Sequence, residues 1–169
     1  MQKTILVTGC SSGIGAALAR EFAKRGHRVY ATARRSETLS ALEAEGIRGL
    51  ALDVNDDSAI AGAFETVSRE AGHLDLLVNN AGIRMYQTVV EATAESWDEI
   101  LSVNLKSYAY CAKGAIPAMQ QAGGGSIVNV ASVRSIVAGG NNVQYDTAKH
   151  AVAGLTRGLA MDHGSEGIR

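Results

Sequence analysis

The sequence predicts an α/β fold in which helices cover both faces of a parallel β-sheet. Short apolar runs, each closed by a glycine or a polar turn, alternate along the chain with longer segments whose apolar residues recur at helical spacing. Hydrophobic residues make up 46% of the chain and aromatic residues only 5%, a composition typical of strands and helices packed through Val, Ile, Leu and Ala. The length of 169 residues predicts a single domain spanning residues 1–169.

The individual elements follow from these patterns in chain order. Residues 3–8 (KTILVT) are predicted to form a buried strand because the run is short, rich in β-branched residues and closed by Gly9. A helix is predicted over residues 14–25, with apolar residues on one face and Gly26 at its end. The same reasoning predicts strands at 28–33, 47–52, 74–78 and 126–131 and helices at 36–44, 96–121 and 143–162.

Four residues bear on where the helices begin and end. Ser36 is the predicted N-cap of the second helix, and Asp56 or Asp57 caps a further helix before the fourth strand. Pro117 lies inside the longest predicted helix and is expected to kink or end it.

Because strands and helices alternate and crossovers are right-handed, the strands should be parallel. A ligand is then expected at their carboxyl ends.

A glycine-rich turn joins the first strand to the first helix. Gly9, Gly13 and Gly15 allow a tight turn and a close approach of a ligand to the backbone. The helix N-terminus offers unpaired N–H groups and about half a positive charge to a pyrophosphate. An ordinary βα connection is the alternative, but the strand before and the helix after the turn favour a dinucleotide. The predicted contacts are Gly9, Ser11, Ser12, Gly13, Ile14 and Gly15.

The end of the second strand indicates which dinucleotide binds. NAD sites usually place a carboxylate there, whereas an arginine suits the 2′-phosphate of NADP. Here Ala33 occupies the acidic position and is followed by Arg34 and Arg35, which predicts NADP in preference to NAD. The alternative is that both arginines are simply solvated, and the nearby Glu37 counts against NADP.

Tyr145 and Lys149 are candidates for acid–base chemistry. They lie four residues apart in a predicted helix and therefore share one face. An isolated tyrosine is a poor acid–base catalyst at neutral pH, but a nearby ammonium stabilises its phenolate form. Ser132, at the end of the fifth predicted strand, could donate a hydrogen bond to a substrate carbonyl. Such a Tyr/Lys pair is by itself more often a surface pair, so the prediction depends on the combination.

In combination these residues resemble the short-chain dehydrogenases/reductases, in their compact single-domain branch. The resemblance runs in order and spacing from residue 3 to residue 169. Its motifs are Thr8-Gly-x-x-x-Gly-Ile-Gly15, Asp53 after the third strand, Asn79-Asn-Ala-Gly82, Asn104 in Val-Asn-Leu, Ser132 and Tyr145-x-x-x-Lys149. It implies a Rossmann-like doubly wound parallel sheet with strand order 3-2-1-4-5. It also implies an oxidoreductase that interconverts a carbonyl and an alcohol by hydride transfer.

The resemblance assigns four catalytic roles. Tyr145 would donate a proton to the carbonyl oxygen or remove it from the alcohol, and Ser132 would orient that oxygen. Lys149 would hold the nicotinamide ribose and favour the phenolate. Asn104 would bind a water that links Lys149 to solvent.

The resemblance also assigns cofactor contacts. Asp53 would meet the adenine and Val54 would line its pocket. The other residues expected beside the cofactor are Asn80, Ala81, Gly82, Tyr145 and Lys149. The asparagines of the Asn79-Asn-Ala-Gly82 motif would also tie strands together. Asn79 and Asn104 could instead satisfy backbone groups of loops.

The chain departs from the resemblance at its C-terminal end, where family members continue into further strands and a substrate cover. We therefore expect a domain that is incomplete at that end, with an unpaired edge on the fifth strand. Two hypotheses follow: an NADP-dependent oxidoreductase that acts on a small carbonyl or alcohol and forms a homodimer or homotetramer when intact, or a truncated, inactive dinucleotide-binding or dimer-forming fragment.

Composition argues against several other classes of function. A net charge of −1 without a basic excess predicts neither nucleic-acid nor membrane binding. Cys10 and Cys111 have no disulfide or zinc spacing, and the four histidines have no metal spacing, so no metal is predicted. No signal peptide or membrane-length apolar run is evident, which predicts a cytoplasmic protein. Cys10 lies in the phosphate turn, so its oxidation is expected to hinder cofactor binding.

Overall fold

A computed structural model describes residues 1–169 as one five-stranded parallel sheet flanked by helices. The sheet has the order β3-β2-β1-β4-β5, and every neighbouring pair is parallel. The strands are β1 (Thr4–Val7), β2 (Arg28–Ala33), β3 (Arg48–Ala51), β4 (Leu76–Asn79) and β5 (Ser126–Asn129). The predicted fold class and strand order are confirmed.

Six α-helices are divided between the two faces of the sheet. They are α1 (Gly13–Lys24), α2 (Ser40–Ala44), α3 (Asp57–Ala71), α4 (Ala94–Leu101), α5 (Ser107–Gln121) and α6 (Val143–His163). Alternate β1 side chains point to opposite faces, so Ile5 and Val7 join one apolar cluster and Leu6 the other. The first cluster includes residues of α1 and α2, and the second includes residues of α3 and α5. Both faces of the sheet are therefore buried, as a parallel sheet requires.

Two of the predicted helix boundaries depend on capping. Asp56 caps α3 as predicted, because its carboxylate accepts hydrogen bonds from the N–H groups of Ser58 at 2.8 Å and Ala59 at 3.1 Å. The prediction that Ser36 caps the second helix is wrong. The chain first forms a 3₁₀ turn at Ser36–Leu39, in which the Thr38 N–H donates to the Arg35 carbonyl, and α2 begins only at Ser40.

The long helix predicted at 96–121 is interrupted. A π-helical turn, Ser102–Lys106, separates α4 from α5 and contains the buried Asn104. The extra residue of a π turn changes the direction of side chains within a helix, and such turns are frequent at functional sites. Pro117 does not end the helix, since α5 continues to Gln121.

The outer edge of β5 is the boundary of the sheet. The expectation of a wholly unpaired edge is wrong, because Ile127 N–H donates to the Arg169 carbonyl at 2.7 Å and Arg169 N–H to the Gly125 carbonyl at 3.0 Å. Beyond these bonds, Val128 remains half-exposed. None of the helices combines the length and apolar character needed to cross a bilayer.

Candidate active site

A cleft of about 370 Å³ lies at the carboxyl ends of β1, β2, β3 and β4. Most of the predicted cofactor contacts line it: Gly9, Ser11, Ser12, Ile14, Arg34, Asp53, Val54, Asn80, Ala81 and Gly82. Predicted contacts that do not line it are Gly13, Gly15, Arg35, Tyr145 and Lys149. Ala33, which the sequence places at the usual position of the NAD carboxylate, also lines it, and so do Leu52, Asn55, Ile83, Glu99 and Val103, which were not predicted as contacts.

The glycine-rich turn forms one end of the cleft. Gly9 has a φ of +72°, and a Cβ there would lie 2.8 Å from the Cα of Ala81. A Cβ on Gly15 would lie 2.7 Å from the side-chain nitrogen of Asn80. These two positions therefore require glycine because the turn packs directly against the end of β4.

The N-terminus of α1 is open toward the cleft. Ser12, its N-cap residue, makes no side-chain capping bond, and the residues from Ser11 to Ile14 are exposed. The first N–H groups of the helix thus lack side-chain partners and face a cavity. A pyrophosphate fits this chemistry, since helix N-termini bind anions through such groups.

Thr8 and Asn80 tie the turn to β4. The Thr8 hydroxyl accepts hydrogen bonds from the N–H groups of Asn80 at 2.9 Å and Ala81 at 3.0 Å. In return, the Asn80 amide donates to the carbonyls of Thr8 at 2.9 Å and Gly9 at 3.2 Å. The Thr8 side chain was missed as a positioning residue by sequence reasoning, although it opens the glycine motif.

The far end of the cleft carries the residues predicted to meet the adenosine part of the cofactor. Val54 is buried, and the Asp53 carboxylate accepts a hydrogen bond from the Asn55 N–H at 3.0 Å. Arg34 and Arg35 are both exposed and form no ion pair, but only Arg34 lines the cleft. Arg34 is therefore the better placed of the two for a phosphate.

Lys149 is buried below Tyr145, with only 3% of its surface exposed. Its ammonium donates to the Val130 carbonyl at 2.8 Å and to the Tyr108 hydroxyl at 3.2 Å. The lysine nitrogen lies 5.9 Å from the centre of the Tyr145 ring, so the two residues are neighbours without a direct hydrogen bond. Burial lowers the pKa of Lys149 to about 8 and raises the pKa of Tyr108.

Tyr108 was also missed from the sequence. It is fully buried, and its hydroxyl donates to the Val130 carbonyl at 3.1 Å while accepting from Lys149. The available signal was its position four residues after Asn104 in a predicted helix, a spacing that places two side chains on one face.

Asn104 and Gly82 connect the cleft to the buried lysine. The Asn104 amide pairs with the backbone of Ile83, accepting from its N–H at 2.8 Å and donating to its carbonyl at 2.8 Å. A Cβ on Gly82 would lie 3.0 Å from the Asn104 oxygen and 3.9 Å from the lysine nitrogen. Asn104 thus fixes the segment that separates the cofactor cleft from Lys149.

Tyr145 and Ser132 lie on two different elements that pack against each other. Tyr145 is half-buried in the first turn of α6, and Ser132 caps the 3₁₀ turn Val133–Ser135, which packs against that helix. The Ser132 hydroxyl accepts from the Arg134 N–H at 3.1 Å. Arg84 also borders the Tyr145 ring, its guanidinium carbon 5.2 Å from the ring centre, and no sequence pattern indicated this contact.

Asn79 is a buried residue whose side chain bonds to other parts of the fold. Its side chain is buried beneath the cleft and donates to Asn129 at 2.9 Å and to the Tyr108 carbonyl at 3.2 Å. These bonds join β4 to β5 and to α5. The suggestion that Asn79 ties strands together agrees with this geometry.

This sequence and architecture match a known protein family. The family model described as short chain dehydrogenase matches residues 3–169. The chain is 37% identical over 173 residues to the D-threitol dehydrogenase of Mycolicibacterium smegmatis, a match covering 99% of this chain and 66% of that protein. It is 34% identical over 176 residues to the D-beta-hydroxybutyrate dehydrogenase of Rhizobium meliloti, covering 99% of this chain and 68% of that protein.

A solved structure gives the same result. The structure of a short-chain dehydrogenase from Streptomyces avermitilis superposes with a TM-score of 0.95 at 32% identity, covering 100% of this chain and 63% of that one. The chain thus spans about two thirds of the length of the proteins it matches. On the strength of the family match and these relatives, the chain belongs to the short-chain dehydrogenase family.

Proposed function

We propose that the protein is an NADP-dependent oxidoreductase that interconverts a carbonyl and an alcohol, with Tyr145 as proton donor and acceptor. The observation that carries the proposal is the buried Lys149 ammonium beside Tyr145, next to a cleft suited to a dinucleotide. The names of the relatives, which are dehydrogenases of D-threitol and D-beta-hydroxybutyrate, support chemistry at a CH–OH group.

The residues of the cleft suit the parts of the cofactor. The open N-terminus of α1 would hold the pyrophosphate, Asp53 and Val54 the adenine, and Arg34 the 2′-phosphate. Gly82 and Lys149 would face the nicotinamide ribose, since the lysine nitrogen lies 3.9 Å from the point that a Cβ on that glycine would occupy. When bound, the reduced cofactor supplies a hydride to the carbonyl carbon.

The chain's own residues would handle the proton. The Tyr145 hydroxyl donates its proton to the carbonyl oxygen as the hydride reaches the carbon, which yields the alcohol and leaves a phenolate. The Lys149 ammonium, 5.9 Å from the tyrosine ring, stabilises that phenolate in a buried setting where charges interact more strongly than in water. Ser132 holds the substrate oxygen, and Asn104 fixes the Ile83 backbone beside the reacting atoms.

NADP is proposed over NAD because an exposed, unpaired guanidinium lines the cleft at the end of β2. Arg34 occupies this position, and Ala33 leaves no carboxylate at the end of the strand to repel a phosphate. A small-molecule substrate, a homodimer or homotetramer and a cytoplasmic location remain predictions.

A second candidate function is dinucleotide binding without turnover, either as a binding fragment or as a dimer-forming one. The observation that favours it is the open substrate side of the site. Ile136 is 82% exposed and Tyr86 is 68% exposed, so few walls enclose a substrate beside Tyr145.

The two candidates are separated by kinetics and binding measured on the same protein. We expect loss of NADPH absorbance with a panel of ketones, and a fall in kcat of about 10²- to 10⁴-fold in Tyr145→Phe without weaker NADPH binding. Tyr110→Phe, at an exposed tyrosine of α5, is the matched control and should leave activity unchanged. Unchanged turnover in Tyr145→Phe contradicts the proposed mechanism, and tight NADPH binding without any turnover in the unsubstituted protein supports the second candidate.

A further inference from the structure

Arg84 is a charged side chain at the reacting end of the site that the proposed mechanism does not use. Its guanidinium carbon lies 4.6 Å from the centre of the Tyr86 ring and 5.2 Å from the centre of the Tyr145 ring. It directly follows Ile83, whose backbone is held by Asn104. A positive charge therefore lies close to the ring of the proposed proton donor.

The position of Arg84 is held by buried groups. Its Nε donates to the side-chain oxygen of Asn142 at 2.8 Å, and Asn142 is only 3% exposed. The backbone of Gln87 forms a parallel bridge with that of Asn142, and the buried Gln144 donates to the Gln87 side chain at 2.8 Å. The segment that carries Arg84 is thus joined to the start of α6, so the guanidinium is oriented before any substrate arrives.

The guanidinium retains unused hydrogen-bonding capacity. Only Nε has a protein partner, and no carboxylate lies within 4.0 Å of the Arg84 side chain. Asp146, which adjoins Tyr145 in sequence, is already engaged by Arg134 at 3.8 Å and by the Gly139 N–H at 2.7 Å. The two terminal nitrogens of Arg84 therefore have no acidic partner in the protein.

The shape of this free group favours a carboxylate. Tyr86 and Tyr145 lie near the guanidinium, and Nε is bonded to Asn142, which leaves the terminal nitrogens as the binding edge. Paired N–H groups at such an edge match the two oxygens of a carboxylate. We propose that Arg84 binds the carboxylate of a short oxo acid or hydroxy acid and thereby places its reacting carbon against Tyr145. This substrate class rests on the proposed function of the same site.

The test compares acids with their neutral esters. The probes are pyruvate, acetoacetate and levulinate, which place the carboxylate progressively farther from the carbonyl, each paired with its methyl ester and assayed with NADPH. Arg84→Gln is expected to lower kcat/KM for the preferred acid by about 10- to 100-fold and to leave the ester little changed. Arg84→Lys should recover part of the loss because it keeps the charge without the fork. Arg69→Gln, at an exposed arginine of α3, controls for the change in net charge.

A binding measurement separates this inference from the proposed function. Calorimetric titration of acetoacetate into the NADP-loaded protein should show saturable binding that Arg84→Gln abolishes. Arg84-dependent binding without turnover supports the carboxylate site and contradicts the proposed function. Equal losses for acid and ester in Arg84→Gln, or reduction of esters but not acids, overturn the carboxylate site and leave the function standing. Absence of both binding and turnover of the acids, or a preference for dihydroxyacetone phosphate over all three, also overturns it.

Discussion

Replacing Thr8 by valine tests whether the end of β1 supports the cofactor cleft through a hydroxyl. Valine has nearly the same shape as threonine, so the substitution removes the hydroxyl without opening a cavity. It leaves the N–H groups of Asn80 and Ala81 without the acceptor that they now share at 2.9 Å and 3.0 Å. An orphaned buried donor costs about 1–3 kcal/mol, and because both residues are only half-buried the lower end applies. With two donors affected, we therefore expect Thr8→Val to lower the free energy of unfolding by about 2 kcal/mol.

Thr8→Ser is the matched control, because it keeps the acceptor and removes one buried methyl group, at a cost of about 1 kcal/mol. Urea denaturation of the three proteins measures the free energies, and an unchanged m value shows that the unfolding reaction is the same. The valine variant should also bind NADPH more weakly, since Asn80 and Ala81 line the cleft. A valine variant as stable as the serine variant would refute the role assigned to the hydroxyl.

Three further predictions concern charge and burial. Because burial lowers the pKa of Lys149 to about 8 from an ordinary 10.5, the folded state loses this proton first as pH rises. Between these two pH values, the free energy of unfolding of the unsubstituted protein should therefore rise by about 3 kcal/mol relative to that of Lys149→Met. Urea midpoints that change equally in the two proteins between pH 7.5 and pH 10 would contradict this. Arg34→Gln should weaken NADP binding by about 10- to 100-fold and NAD binding little, as measured by fluorescence titration. Arg35→Gln is its control, because Arg35 lies outside the cleft, and equal effects of the two substitutions would remove the basis for the preference. Burial raises the pKa of Cys10 to about 11, so iodoacetamide should label Cys10 in the unfolded protein and spare it in the native one; rapid native labelling seen by mass spectrometry would show that the turn opens.

Where a structural feature depends on residues close together in the chain, the sequence predicted it well. The four-residue spacing of Tyr145 and Lys149 places both on α6, and the glycines of the first turn occur where a strand meets a helix. Local periodicity located every strand to within about two residues, since a buried strand and an amphipathic helix each have their own repeat. It missed the π turn around Asn104, because one extra residue in a turn leaves no distinct pattern in composition.

The sequence by itself determined the alternation of strands and helices, the glycine-rich turn after β1 and the Tyr145–Lys149 pair on one helix, because each depends on residues within one or two turns of chain. Only the tertiary structure decided which groups hold these residues in place. The Thr8 hydroxyl meets a backbone 72 residues away, and the Tyr108 hydroxyl meets a lysine 41 residues away. It also placed the Arg84 guanidinium against Tyr145, from a different segment of the chain. Such contacts arise when the sheet brings the ends of separate strands together. The spacing of residues within a single helix or strand does not predict them.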